Sequence, residues 1–104
     1  LYKDIYSDIL LKTVQAKSPS VVSESEALED MKAVLQKNRG KVASVIIEPL
    51  VQCAGSMKMY NPSYITKLRA LCDDAGVFLI ADEVADGFGR TGSMFACEQA
   101  GVSP

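Results

Sequence analysis

The acidic end of a short apolar run constrains the fold of this chain more than any other feature. Residues 77–81 read VFLIA, and Asp82 and Glu83 follow them directly. Five apolar residues in succession are typical of a buried strand. Carboxylates at the end of such a strand lie where open α/β sheets bind their ligands. The sequence therefore predicts an α/β fold with a ligand site at the end of this strand.

A second predicted strand ends in the same way. Residues 42–47 (VASVII) are rich in β-branched side chains and are followed by Glu48 and a proline. Between the two strands, residues 64–75 carry apolar side chains at helical spacing. This order predicts a βαβ unit with parallel strands 42–47 and 77–82. Glu48 and Asp82 are then expected at the same carboxyl edge of the sheet.

The remainder of the chain divides into segments of different pattern. Residues 1–17 have apolar side chains at helical spacing and predict an amphipathic helix. Residues 18–22 predict a loop, because Ser-Pro-Ser interrupts that spacing. The α/β part is expected over residues 23–104, beginning with a helix capped by Ser23 and Glu26.

Composition excludes several classes of function. The net charge is -2 and the 11 Lys and Arg are scattered, so no nucleic-acid partner is predicted. No apolar run approaches the ~18 residues of a membrane span, and acids stand near the N-terminus, so we predict no membrane contact and a cytoplasmic location. Cys53, Cys72 and Cys97 form no C-x-x-C pair, which predicts free thiols and no metal site.

Two nucleotide-binding motifs fit the sequence only in part. Residues 87–92 (GFGRTG) match G-x-G-x-x-G, but acids separate them from the strand, whereas the dinucleotide fingerprint follows its strand directly and opens a helix. The run LIADE is similar to the Mg-binding strand of a P-loop NTPase, but the chain has no G-x-x-x-x-G-K-[ST] loop. A nucleotide-binding α/β domain stays an alternative interpretation.

The chain contains no histidine, so catalysis would need carboxylates, Lys, Tyr or a cofactor. Pyridoxal phosphate suits an aspartate at a strand end, because its ring nitrogen must stay protonated and a nearby carboxylate raises that nitrogen's pKa. Asp82 would have this role. Val84, two residues further along, would place an apolar group on the face of the ring.

Two segments, SVIIEPLVQCAGSMKMYNP and LRALCDDAGVFLIADEVADGFGRTGSMFACEQAGVSP, resemble the large domain of the class III aminotransferases. The resemblance covers residues 42–104 and rests on IIEP, ADEV and GFGRTG occurring in this order. It implies the type I pyridoxal-phosphate fold, with residues 23–104 forming part of the cofactor-binding large domain. It also implies pyridoxal 5'-phosphate as cofactor, a small-molecule amino donor and keto acceptor, and a homodimer at full length.

The resemblance assigns roles to three residues. Asp82 matches the acid that pairs with the pyridine nitrogen, Val84 matches the residue packed on the ring, and Glu48 matches a supporting group near Asp82. The lysine that carries the cofactor in this family lies beyond Pro104, so no catalytic residue is expected within the chain. We therefore expect an internal fragment that is inactive by itself.

The chain departs from the family pattern at three positions. Cys53 and Ser56 stand where relatives usually have glycines, so left-handed backbone is expected there with non-glycine residues. Asp86 stands where relatives usually have Thr or Ser, and an added negative charge is expected to weaken cofactor binding. A catalytically silent relative is therefore a further alternative. Ala85, in place of the glutamine of many members, narrows the resemblance to one subfamily.

Overall fold

The fold is known from a computed structural model that describes residues 4–104. Its helices and strands are α1 (Glu24–Lys37), β1 (Ser44–Ile47), β2 (Val51–Gln52), β3 (Lys58–Met59), α2 (Ser63–Ala75) and β4 (Phe78–Ala81), with 3-10 helices at Cys53–Gly55 and Ala96–Ala100. Strand β1 pairs in parallel with β4, and β2 pairs antiparallel with β3. The predicted α/β fold and its parallel strand pair are confirmed, although both strands are shorter than 42–47 and 77–82.

The β1–β4 sheet is buried on one face only. Val45 and Leu79 are partners across the strands and are both buried. Their neighbours Ile46 and Phe78 are 63% and 78% exposed. The prediction of buried strands therefore holds for one face of the sheet and is wrong for the other. Among residues 4–104 a helical layer covers a single side of the sheet, so burial alternates along each strand.

The helical layer, formed by α1 and α2, supplies most of the core. The core residues contributed by the two helices are Ala27, Met31, Leu35, Tyr64, Ile65, Leu68 and Cys72. They lie at the helical spacing seen in the sequence, and burying one large apolar side chain of this kind stabilises the fold by roughly 1.5–3 kcal/mol.

The ends of the helices are capped, and α1 begins at the predicted capping residue Ser23. The Ser23 hydroxyl accepts a hydrogen bond from the Glu26 N–H at 3.2 Å, and the Asn61 side chain accepts one from the Ser63 N–H at 2.9 Å. Helix α2 ends at Gly76, whose φ of 66° lies in the left-handed region that glycine adopts without strain. These caps satisfy backbone groups that the helices leave unpaired.

The prediction of an amphipathic helix over residues 1–17 is wrong for the described part of that segment. Residues 1–3 lie outside the described residues, and residues 4–17 form turns and a stretch without regular secondary structure. The large apolar side chains of this segment, Ile9 and Leu11 among them, are exposed. Without a surface to pack on, a helix of this length is only marginally stable in water.

No helix within residues 4–104 is long and apolar enough to cross a bilayer.

Candidate functional site

The predicted acids Glu48 and Asp82 lie at the same edge of the sheet. Ile47 and Ala81 are partners in the parallel pair, and each acid follows one of them. The Asp82 N–H donates to the Ile47 carbonyl oxygen at 2.8 Å, which extends the pairing by one hydrogen bond. The topology thus brings both acids to the carboxyl edge, where open α/β sheets bind ligands.

Asp82 presents an uncompensated carboxylate at this edge. Its Oδ1 accepts a hydrogen bond from the Val84 N–H at 3.3 Å. Within the part of the chain that the structure describes, no side chain forms an ion pair or hydrogen bond with this carboxylate. The Val84 side chain beside it is 96% exposed. An unpaired carboxylate next to a free apolar group fits a protonated aromatic ring such as that of pyridoxal phosphate.

Glu48 holds the loop that follows β1. Its Oε2 accepts a hydrogen bond from the Cys53 N–H at 3.0 Å, and its carbonyl oxygen accepts one from the Tyr60 hydroxyl at 2.6 Å. The ordinary pKa of a tyrosine hydroxyl lies well above neutral pH and burial raises that of Tyr60 further, so this hydroxyl is a donor. Glu48 therefore organises the loop, and its support of Asp82 stays a prediction.

Asp86 is the one buried charged residue among residues 4–104. Its Oδ1 accepts a hydrogen bond from the Cys53 thiol at 3.2 Å, while Oδ2 has no partner. Burial raises the pKa of Asp86, and the negative charges of Glu48, Glu83 and Asp82 raise it further. The hydrogen bond to Asp86 in turn raises the pKa of Cys53.

Two of the three departures from the family pattern therefore contact each other. Cys53 and Asp86 are 33 residues apart, and this separation gives no signal in the sequence that they meet. The third departure, Ser56, has a φ of 72°, as expected for a non-glycine residue in left-handed backbone. Cys53 does not share this strain, because its φ is not positive.

Glu83 binds the start of the 3-10 helix that follows the glycine-rich loop. Its two carboxylate oxygens accept hydrogen bonds from the N–H groups of Ala96 and Cys97, at 2.6 and 3.0 Å. A Cβ on Gly87 would lie 2.9 Å from the Glu83 carbonyl oxygen, so this close approach requires glycine. Residues 84–95 form turns and bends. The GFGRTG motif therefore opens no helix of the kind that a dinucleotide fingerprint requires.

A contact between the N-terminal loop and the site was also not predicted from the sequence. The hydroxyls of Ser18 and Ser20 donate to Gln52 Oε1 at 2.5 and 2.7 Å. Gln52 directly precedes Cys53, so the predicted loop 18–22 is docked against the loop that carries the thiol. Serines and a glutamine more than 30 residues apart carry no pattern from which this could be predicted.

Comparison with known proteins places this geometry in context. The family model described as Aminotransferase class-III matches residues 3–104. A curated relative from Helicobacter pylori, named adenosylmethionine-8-amino-7-oxononanoate aminotransferase, is 43% identical over all of this chain and 24% of its own length. A relative of the same name from Synechococcus elongatus is 48% identical over 89% of this chain and 20% of its own length.

A solved structure gives the same result for the fold. The crystal structure of adenosylmethionine-8-amino-7-oxononanoate aminotransferase from Methanocaldococcus jannaschii matches with a TM-score of 0.80 and 32% identity. The match covers 93% of this chain and 22% of that one. The chain thus spans about a quarter of the length of the curated relatives it matches.

Proposed function

This chain belongs to the class III aminotransferases, and from that premise we propose that its protein transfers an amino group to 8-amino-7-oxononanoate with pyridoxal phosphate as cofactor. Class III aminotransferases depend on pyridoxal phosphate and act on small-molecule donors and acceptors. The acceptor is proposed from the names of the relatives at 43% and 48% identity. Ala85 after the DEV motif and the run MFACEQAGVSP support the same choice.

The unpaired Asp82 carboxylate at the carboxyl edge is the observation that carries the proposal. Bound pyridoxal phosphate would supply an electron sink for the electron pair left when a Cα proton is removed. Asp82 would keep the proton on the ring nitrogen, because an opposite charge nearby raises the pKa of that nitrogen. The exposed Val84 side chain would give the ring an apolar surface, and Glu48 would support the loop beside Asp82.

Further parts of the proposal come from the family and from the relatives' names. Adenosylmethionine is the proposed amino donor, since it stands in the name of the relatives. The cofactor-bearing lysine is expected in a part of the protein beyond Pro104. A homodimer and a cytoplasmic location stay predictions.

The experiment compares Asp82, directly after β4, with Asp74 in α2, in the protein at its natural length. Asp82→Asn keeps the shape of the side chain and removes its charge. We expect kcat/KM for amination of 8-amino-7-oxononanoate to fall by roughly 100-fold or more, as when one electrostatic contact to a reacting centre is lost. Asp74→Asn is the matched control, because Asp74 is exposed and lies in α2, away from the carboxyl edge of the sheet. It should leave kcat/KM unchanged.

Three results would contradict the proposal in different ways. Equal activity of the two variants would remove Asp82 from the cofactor site. A protein that binds pyridoxal phosphate but does not aminate 8-amino-7-oxononanoate would keep the family and remove the substrate. A protein that fails to bind the cofactor, and binds it after Asp86→Thr, would be the catalytically silent relative.

A further inference from the structure

Glu48, Cys53 and Asp86 form a cluster, here called the thiol–acid cluster, whose thiol and buried acid have no part in the proposed aminotransferase chemistry. Each residue offers one ligand atom, and these atoms all lie within 4.8 Å of one another. We propose that the thiol–acid cluster binds a divalent cation of borderline softness such as Zn²⁺. The proposal does not depend on the proposed substrate.

The buried acid is the first observation that points to a ligand. Asp86 is 0% exposed, and its Oδ2 has no hydrogen-bond partner among residues 4–104. Buried polar atoms in folded proteins are nearly always paired with protein, water or an ion. The other oxygen of this carboxylate contacts Cys53 Sγ, so the unpaired atom lies on a group that already belongs to the cluster. A cation bound by both oxygens of this carboxylate would satisfy it.

The donor set selects the kind of cation. A cysteine thiolate with two carboxylate oxygens suits Zn²⁺ and its close relatives, whereas Mg²⁺ and Ca²⁺ prefer oxygen ligands alone. Three protein ligands leave the fourth tetrahedral position to water. Coordination replaces the proton of the Cys53 thiol, which passes to solvent together with any proton held by Asp86.

The distances are close to those that a tetrahedral site needs. With Zn–S near 2.3 Å and Zn–O near 2.0–2.2 Å, ligand atoms lie roughly 3.4–3.6 Å apart. Cys53 Sγ and Asp86 Oδ1 are 3.2 Å apart, and the widest pair in the cluster is within 4.8 Å. Closing the site requires side-chain movements on the order of 1 Å, which rotamer adjustment in two loops supplies.

The surrounding charge favours a cation. Asp82 and Glu83 lie close enough to raise the pKa of Asp86, and Arg90 is the positive group that acts on Cys53. With both carboxylates and the thiolate ionised, negative charge exceeds positive charge around the cluster. An ion held there would join the loop after β1 to the loop after β4. The three ligands are separated by 5 and 33 residues, so the sequence carries no C-x-x-C pattern from which this site could be predicted.

The test is a metal titration of the protein at its natural length, reduced, stripped with chelator and free of pyridoxal phosphate. Cd²⁺ is the probe, because a cadmium–thiolate bond gives an ultraviolet charge-transfer band, and Zn²⁺ is added as competitor. We expect one equivalent to bind. Cys53→Ala should abolish the band, and Asp86→Asn should weaken affinity roughly 100-fold, since even outer-shell partners are worth 10–100-fold. Cys72→Ala, which removes a buried thiol in the helical layer, should change neither.

Circular dichroism and the melting temperature show whether each metal-free variant is folded. Asp86→Thr, which has the residue type usual in relatives, is a second variant at the position of the buried acid. Equal Cd²⁺ affinity in the wild type and Cys53→Ala, or no charge-transfer band in the wild type, would overturn the metal site. Cofactor binding is measured separately on the same preparations. A protein that binds pyridoxal phosphate and no Cd²⁺ overturns only this inference, and the reverse result overturns only the proposed function.

Discussion

The helical layer and the loops at the carboxyl edge of the sheet differ in two respects: how completely their polar groups are paired, and how strained their backbone is. In the helical layer the core side chains are buried and the helix ends are capped. The edge loops, residues 48–57 and 82–92, contain every non-glycine residue with positive φ in the described chain: Leu50, Ser56, Met57 and Phe88. They also contain Asp86, with its unpaired buried oxygen.

This difference separates the part that stabilises the fold from the part suited to chemistry. Strained backbone and unpaired buried groups are unfavourable, and they persist only where the surrounding structure holds them in place. Here that structure is the β1–β4 pair on its helical layer. The edge loops can therefore carry strain and unpaired charge at the position where α/β sheets bind ligands. Three substitutions test the comparison.

The largest effect is expected in the helical layer. Leu68 is fully buried in α2, so Leu68→Ala removes apolar contacts and leaves a cavity. We expect the free energy of unfolding, measured by urea denaturation, to fall by about 2–5 kcal/mol. Leu11→Ala is the matched control, because Leu11 is 90% exposed, and should change stability by less than about 0.5 kcal/mol. Equal effects of the two changes would contradict the assignment of the core.

An effect of opposite sign is expected in the edge loops. Ser56 has a φ of 72°, and left-handed backbone costs a non-glycine residue about 1–2 kcal/mol. Ser56→Gly relieves this strain but adds about 0.4–1 kcal/mol of unfolded-state entropy. We expect a net stabilisation of about 0.5–1 kcal/mol in urea denaturation. Ser25→Gly, the same change within α1, should instead destabilise by about 0.5 kcal/mol. Destabilisation by both changes would mean that Ser56 is not strained.

The smallest effect is expected where α1 meets α2. Glu24 pairs with Lys67 and with the Ser63 hydroxyl, and these contacts lower its pKa from 4.5. A lowered carboxyl pKa contributes stability above pH 4.5, and this contribution is lost as the pH falls further. Because Lys67 is 58% exposed, solvent screens the pair, and Glu24→Gln should cost about 0.5 kcal/mol at pH 7.

The pH dependence checks that assignment. The difference between Glu24→Gln and the wild type should be smaller at pH 3 than at pH 7, because the contribution of a carboxyl with a lowered pKa is lost as the pH falls below 4.5. It should also shrink in high salt. Glu29→Gln, at an exposed position of α1, is the control and should leave the free energy of unfolding unchanged at both pH values. A loss that is the same at pH 3 and pH 7 would show that the charge of Glu24 is not its cause.

Local patterns predicted the secondary structure where each element has a surface to pack on. The apolar spacing of α2 and the glycine at its end were sufficient, and parallel pairing then placed Glu48 and Asp82 at one edge. The same spacing failed in residues 4–17, because no layer in the described chain covers their apolar side chains. Exposure of one sheet face likewise depends on tertiary packing.

The contacts between loops could not be predicted from local patterns. The bond between Cys53 and Asp86 joins residues 33 positions apart. Cys53 begins a 3-10 helix of only three residues and Asp86 lies in a turn, so neither position has a period that would indicate a partner. The positions of Glu48 and Asp82 at the carboxyl edge of the sheet could be predicted from the sequence, because the parallel topology alone determines them. Which acid faces water and which is buried depends on how the loops after β1 and β4 fold against each other.

The register of β1 against β4 determines the position of Asp82. Successive side chains of a strand point to opposite faces, so a slip of one residue would expose Leu79 and turn Ile80 towards the helices. The same slip would displace the bond from the Asp82 N–H to the Ile47 carbonyl oxygen. A register that misplaces Asp82 therefore also disrupts the core. Such a register is unstable, so the packing of the core fixes the position of this acid.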